Sequence, residues 1–185
     1  AARAALTAQV ERRFTGRLGR EDVTAFLGEI VGALFPAETS ARLALARLDR
    51  RLLGEHMLRA FIELLRAECA ENPVVLILED LHWGDPHTVR FLDSALRELA
   101  TAPLFVLAFA RPEVHERFPG LWKARGVSEL ALLGLSPRVC ERLARSVLGD
   151  VEPELLQRIV NHSDGNAFYL EELIRAAADG VLSAL

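Results

Sequence analysis

Lysine is almost missing from this chain. Of 22 basic residues in 185, only Lys123 is lysine, so arginine carries nearly all the positive charge. Cysteine is scarce too: Cys69 and Cys140 stand far apart, with no CxxC spacing and no histidine cluster beside either. That pattern excludes a disulfide framework and a zinc site, and leaves both as small buried apolar residues of a reducing compartment. No run reaches 18 consecutive apolar residues, which excludes a membrane-spanning helix. The formal net charge of −4 gives no electrostatic reason to expect nucleic acid or an anionic membrane as partner. Five histidines (His56, His82, His87, His115 and His162) form no HExxH, and no GxSxG is present, so metalloprotease and nucleophile-elbow chemistry are not indicated. The opening AARAALTAQVERRF has no initiating methionine and no signal-peptide layout; it reads as a cut end.

What is present is an ordinary soluble balance, 51% apolar and 26% charged, enough for one good core or a core with a small satellite. Residues 1–71 read as helical; Leu58, Phe61, Ile62, Leu65 and Cys69 share one helix face. The Arg-rich helices before residue 70 read as solvated faces balanced by glutamate. Asn72-Pro73 stops the last of them. An apolar run, Val74 to Leu78, then ends at Glu79-Asp80; the strand near 73–79 is expected to be buried on both faces, as in a parallel sheet. Asp85-Pro86 is a strong helix start, with Val89, Leu92, Leu96 and Leu99 inward. A second apolar strand follows near 104–109, and a weaker third near 127–133. The order of strands and helices implies parallel pairing with right-handed crossovers.

Past Leu133 the character changes to helix alone. Ser136-Pro137 and Pro153 each open a helix, the first with Val139, Leu143 and Val147 inward. A third runs from about Ala167 with Leu170, Leu173, Ile174 and Ala177 on one face. The expected division is an α/β domain over 1–133 and a small helical domain over 134–185.

Three stretches carry chemistry. Glu79-Asp80 closes the first strand, where ligands of open parallel sheets bind, and two adjacent carboxylates there suit a hydrated Mg²⁺ and an attacking water. The bland alternative is an acidic strand end that caps a loop. Arg111-Pro112 closes the second strand; the proline keeps Arg111 extended, from where its guanidinium suits a phosphate. Otherwise Arg111 is a surface residue beginning a loop. Gly165-Asn166-Ala167-Phe168-Tyr169-Leu170-Glu171-Glu172-Leu173 is a Gly-turned helix start with carboxylates near the positive helix end. His82, beside the first motif, reads as packed or solvated and not as a catalytic group.

The stretch VVLILEDLHWGD resembles the Walker B motif of P-loop ATPases, and its LHWGD continuation is similar to the STAND class of signalling ATPases related to the AAA+ group. On that resemblance Glu79 is the magnesium-side carboxylate and Asp80 the water-activating one, in reversed order from the common Asp-Glu. Arg111 matches the sensor arginine ending the fourth strand, with Phe109 where a small polar residue is usual. GNAFYLEEL resembles the GNPFFLEEL opening the last helix of the family's lid domain. That loop implies base-side contacts at Asn166 and Ala167, the latter replacing the usual proline. The wider wording is similar to ATPase regions fused to bacterial Ser/Thr protein kinases or adenylate cyclases.

The resemblance implies a partial parallel P-loop sheet followed by a helical lid, with ATP or ADP and Mg²⁺ as ligands. It further implies a cytoplasmic setting, partner domains of kinase or cyclase type, and an ATP-binding switch with slow hydrolysis in the parent. The phosphate loop, Gly-x-x-x-x-Gly-Lys-Ser/Thr, is not in the sequence; Lys123 follows Leu121-Trp122 with no such loop before it. The expectation is therefore a fragment that lacks its central strand, binds nucleotide weakly by itself and self-associates. The rival expectation is a non-enzymatic interaction scaffold on an ATPase-derived fold.

Overall fold

The computed structural model describes residues 1–14 and 19–180, which belong to two compact units, Ala1–Val127 and Ser128–Leu185. The first unit runs α1 (Ala2–Arg13), α2 (Arg20–Ile30), α3 (Ala41–Ala46), α4 (Arg50–Cys69), β1 (Val74–Leu78), α5 (Pro86–Glu98), β2 (Leu104–Ala108) and the short α6 (Val114–Arg117). Among the described residues no helix is long and apolar enough to cross a membrane.

Helix α4 is the spine of this unit. Asp49 caps its start, its carboxylate accepting from the N–H groups of Arg51 and Leu52 at 2.8 and 3.4 Å. The helix ends just before Asn72-Pro73, which cannot continue it. One stripe of α4, with Met57, Ala60, Leu64 and Ala67, packs into a core with Val10 and Phe14 of the α1 end, Phe26 and Leu27 of α2, and Leu43 of α3. Another stripe, with Leu58, Phe61, Ile62 and Leu65, packs against α5 and the inner face of the sheet. Gly28 allows the turn after α2 to close: a Cβ there would lie 2.6 Å from the Phe35 ring. A fully buried Leu or Phe contributes about 1.5–3 kcal/mol by transfer, whereas exposed pairs such as Arg51–Glu55 are worth a fraction of that. The apolar core therefore holds the unit. The arginine faces are balanced by acids, as in Arg13 with Glu68 and Arg47 with Glu29.

β1 and β2 pair in parallel, with Val74 opposite Leu104 and Leu78 opposite Ala108. Val74, Leu76, Leu104 and Val106 face the helices. Val75, Ile77, Phe105 and Leu107 lie on the other face and are exposed, Ile77 by 59% and Phe105 by 60%. This corrects the expectation of strands buried on both faces, because the described helices of the unit cover one face only. The stretch 127–133, expected as a third strand, is not one; Leu133 is 87% exposed and no strand pairing is formed there. A strand exists only with a ladder partner, and the sheet of the described residues has two strands. The two compact units meet at 127/128.

α5 begins as its sequence dictates. Asp85 accepts from the N–H groups of His87 and Thr88 at 2.8 and 3.0 Å, and Pro86 occupies the first helical position. Leu92 and Leu99 are buried, with Val89 and Leu96 partly so. The Asp93 carboxylate grips Arg125 in a two-bond fork at 2.9 and 3.0 Å.

The second unit is a three-helix cluster of α7 (Pro137–Leu148), α8 (Pro153–Ser163) and α9 (Ala167–Ala178). Its core is Cys140, Ala144, Leu156, Ile159, Leu170 and Ile174. The inward stripe of α7 is one residue on from the expected Val139, Leu143 and Val147: Cys140 is 1% exposed and Val147 62%. Both stripes have helical spacing. The small pair Cys140 and Ala144 admits α8 and α9 closely, and bulkier residues there would hold them off.

Three outcomes are expected. Asp85→Ala should lower stability to urea by about 1 kcal/mol through loss of the cap. The Asp85 carboxyl is held below its ordinary value first by the Thr88 hydroxyl and N–H, and that of Asp93 by hydrogen bonds from Arg125. Their stabilisation is therefore complete above the unfolded value of about 4 and is lost as pH falls through the depressed folded values. Asp93→Asn should flatten that acid limb of the stability–pH curve. The uncovered sheet face and open strand edges should make the isolated chain self-associate; a monomer across the concentration range of sedimentation velocity would refute this.

Candidate functional site

In a parallel ladder the donors of a strand recur at every second residue. Val74 N–H donates to Pro103 C=O at 2.8 Å, so regular pairing would bring Asp80 N–H to Phe109 C=O. It does not. Asp80 adopts a left-handed conformation, φ 50° and ψ 39°, which aspartate tolerates better than most residues. The rung passes instead to Leu81, whose N–H donates to Phe109 C=O at 3.0 Å. The Asp80 carbonyl turns away and accepts from Trp83 N–H at 2.8 Å.

The rungs in the other direction behave alike. Phe109 N–H donates to Leu78 C=O at 2.8 Å, so Arg111 N–H would next reach the Asp80 carbonyl. It donates to Nδ1 of His82, at 3.3 Å. His82 is 7% exposed, and its ring lies against Trp83 with centroids 5.0 Å apart. For Nδ1 to accept, the ring proton must sit on Nε2, which is buried and has no hydrogen-bond partner among the described residues.

The loop that bears these groups is anchored from below. Leu81 is buried with Leu92, Val114, Phe118 and Trp122, and Arg117 Nε donates to Gly84 C=O at 2.9 Å. Above that anchor, Glu79, Asp80 and Arg111 are all exposed at the carboxyl edge of adjacent parallel strands. None of the three side chains has a hydrogen bond or ion pair among the described residues. Strained backbone and unpaired charges at a sheet edge are features of ligand sites.

This donor set fits Mg²⁺ with a phosphate ligand. Such a metal takes one or two protein carboxylates and completes its shell with water and phosphate oxygens. No group of three or more His, Cys, Asp or Glu that could hold a metal by itself occurs among the described residues.

Asn166 and Ala167 belong to the second unit. The Asn166 side-chain oxygen caps α9, accepting from Phe168 and Tyr169 N–H at 3.0 and 3.2 Å, so its amide nitrogen alone is left for a ligand. Ala167 is the first residue of α9. Gly165 has a packing reason of its own: with φ 73° its position lies against Leu135, whose carbonyl oxygen would be 2.6 Å from an added Cβ.

The residue that sequence reasoning missed is His82. Neither spacing nor composition marks it as a partner of Arg111, because the two are 29 positions apart and meet only through strand pairing.

A protein of Rhizobium meliloti (strain 1021), described as uncharacterized, is 34% identical over 64 residues, a match covering 35% of this chain and 6% of that protein. The chain thus spans a small part of that relative's length. No solved structure matches. The sequence profile of the AAA ATPase domain matches residues 1–107, more than half of the chain. By that match and its parallel-stranded α/β unit, the chain belongs to the AAA ATPase domain family, a nucleotide-binding, ATPase-related group.

Proposed function

We propose that this chain is part of an ATP-binding switch module of the STAND type, carried in a longer bacterial signalling protein. The observation that supports it best is the shared carboxyl edge, where two unpaired carboxylates and one unpaired guanidinium leave adjacent strands. Mg²⁺, held at this edge, would offset the negative charge of the phosphate groups. In this reading Glu79 supplies the carboxylate to the metal. Asp80, whose backbone is turned left-handed immediately after it, orients water and accepts its proton. Arg111 offers a planar fork of donors to the terminal phosphate, a geometry that lysine does not match. Asn166 offers its amide nitrogen to the nucleotide, with Ala167 next to it.

The phosphate cradle is assigned to sequence upstream in the parent protein, since no Gly-x-x-x-x-Gly-Lys-Ser/Thr stretch occurs in these residues. Lys123 opens a short turn over Lys123–Arg125. Nucleotide occupancy is then the switch, read by other domains of the parent, of kinase or cyclase type, in the cytoplasm.

One observation favours a second reading. The apolar face formed by Val75, Ile77, Phe105 and Leu107 is uncovered among the described residues, as an interaction scaffold built on an ATPase-derived fold would require.

Calorimetric titration of Mg·ATP into a polypeptide extended upstream by about 100–150 residues separates the two. Binding is expected, and Arg111→Ala should weaken it about tenfold or more, as loss of a charge-assisted contact does. Absence of binding to the extended protein would leave the scaffold.

A further inference from the structure

The regular parallel ladder would end by joining Arg111 N–H to the carbonyl of Asp80. The left-handed turn at Asp80 removes that acceptor, which is used by Trp83 N–H instead. A β-strand end with an unpaired N–H frays, and the side chain it carries loses its direction. Here the gap is filled by a side chain. The Nδ1 of His82, two residues past Asp80, accepts from Arg111 N–H at 3.3 Å.

The imidazole is well held for this task. Its residue is buried, its neighbour Leu81 is anchored in the core beneath the sheet, and Leu81 N–H forms the preceding rung to Phe109. The ring's Nε2–H also has no partner among the described residues in a buried setting, which is unfavourable. A residue chosen for packing alone would carry no such group. The acceptor at Nδ1 is what histidine supplies here and a phenylalanine or leucine does not.

We propose that His82 is a positioning residue: its Nδ1 substitutes for the carbonyl that the Asp80 turn withdraws, and so fixes the end of β2 from which Arg111 leaves. The turn exposing Asp80 and the direction of Arg111 are thereby coupled through one imidazole. In its functional half the inference rests on the nucleotide reading above; the structural half does not.

The test has two arms. In the polypeptide extended upstream, amide hydrogen exchange is followed by NMR for the wild type, His82→Phe and His82→Asn. Phenylalanine keeps a ring and removes the acceptor; asparagine keeps an acceptor oxygen near the place of Nδ1. Protection of the Arg111 amide should fall about three- to tenfold in His82→Phe, as loss of one hydrogen bond does. It should return in His82→Asn, while the Leu107 amide is unchanged in both. Equal protection in all three proteins, or equal loss in both variants, overturns the proposal. If His82→Phe does not fold, His82→Gln, which lacks an acceptor at the Nδ1 place, takes its part with the same expectations.

In the full-length protein, Mg·ATP affinity is measured for His82→Phe, Arg111→Ala and the double variant. The His82 effect should vanish once Arg111 is gone and be rescued by His82→Asn. Additive effects overturn the positioning role. If the full-length wild type binds no Mg·ATP, the nucleotide reading falls, and the exchange arm still decides whether His82 holds Arg111.

Discussion

Parallel pairing of β1 with β2 is the constraint on which the candidate site depends. Only in a parallel pair do both strands deliver their carboxyl ends to one edge, and only there can Glu79, Asp80 and Arg111 emerge together from segments 31 residues apart. The pairing continues beyond the ladder proper. Three further bonds, from Phe109 to Leu78, Leu81 to Phe109 and Arg111 to His82, tie the two loops after the strands have ended. The exposed charges thus stand on a backbone that is held, while their side chains have no partner among the described residues. That combination suits recognition of an anionic, metal-bearing ligand, because held donors lose less freedom on binding.

The pairing is in turn held by α4 and α5. Helix α4 has apolar residues on two stripes, one for the helices before it and one for the sheet after it, so it joins two cores into one unit. α5 closes the inner face, and the Asp93–Arg125 fork ties it to the segment beyond α6. On the outer face the apolar side chains of Val75, Ile77, Phe105 and Leu107 stand exposed. The same sheet therefore combines an anchored side, which sets the site's geometry, with a sticky side that asks for cover.

Much of this was legible in the residues. Asn72-Pro73 and Asp85-Pro86 punctuate the chain by local chemistry alone, and the helix stop and start fall where they lie. The apolar runs gave two strands for the same reason, and the carboxylates and Arg111 lie just after their ends. The failures share a different cause. The third strand at 127–133 has apolar residues enough, but a strand is a property of two segments and its partner is not in the described sheet. On α7 two adjacent stripes, Val139-Leu143-Val147 and Cys140-Ala144-Leu148, have the same spacing. Side-chain size against α8 and α9 decides between them, and periodicity carries no information about that.

The sequence by itself determined where α4 ends and where α5, α7 and α8 begin, because caps and prolines act over a few bonds. It also determined which residues carry charge, since carboxylates and guanidinium groups have it wherever they stand. Tertiary structure alone decided which face of the sheet is covered, which stripe of α7 is inward, and that His82 meets Arg111. Each of these is a relation between segments distant in the chain, set by which surfaces pack and which hydrogen bonds a turned backbone leaves open. The left-handed turn at Asp80 shows both levels at once: aspartate permits it locally, and the ladder around it gives it a consequence 31 residues away.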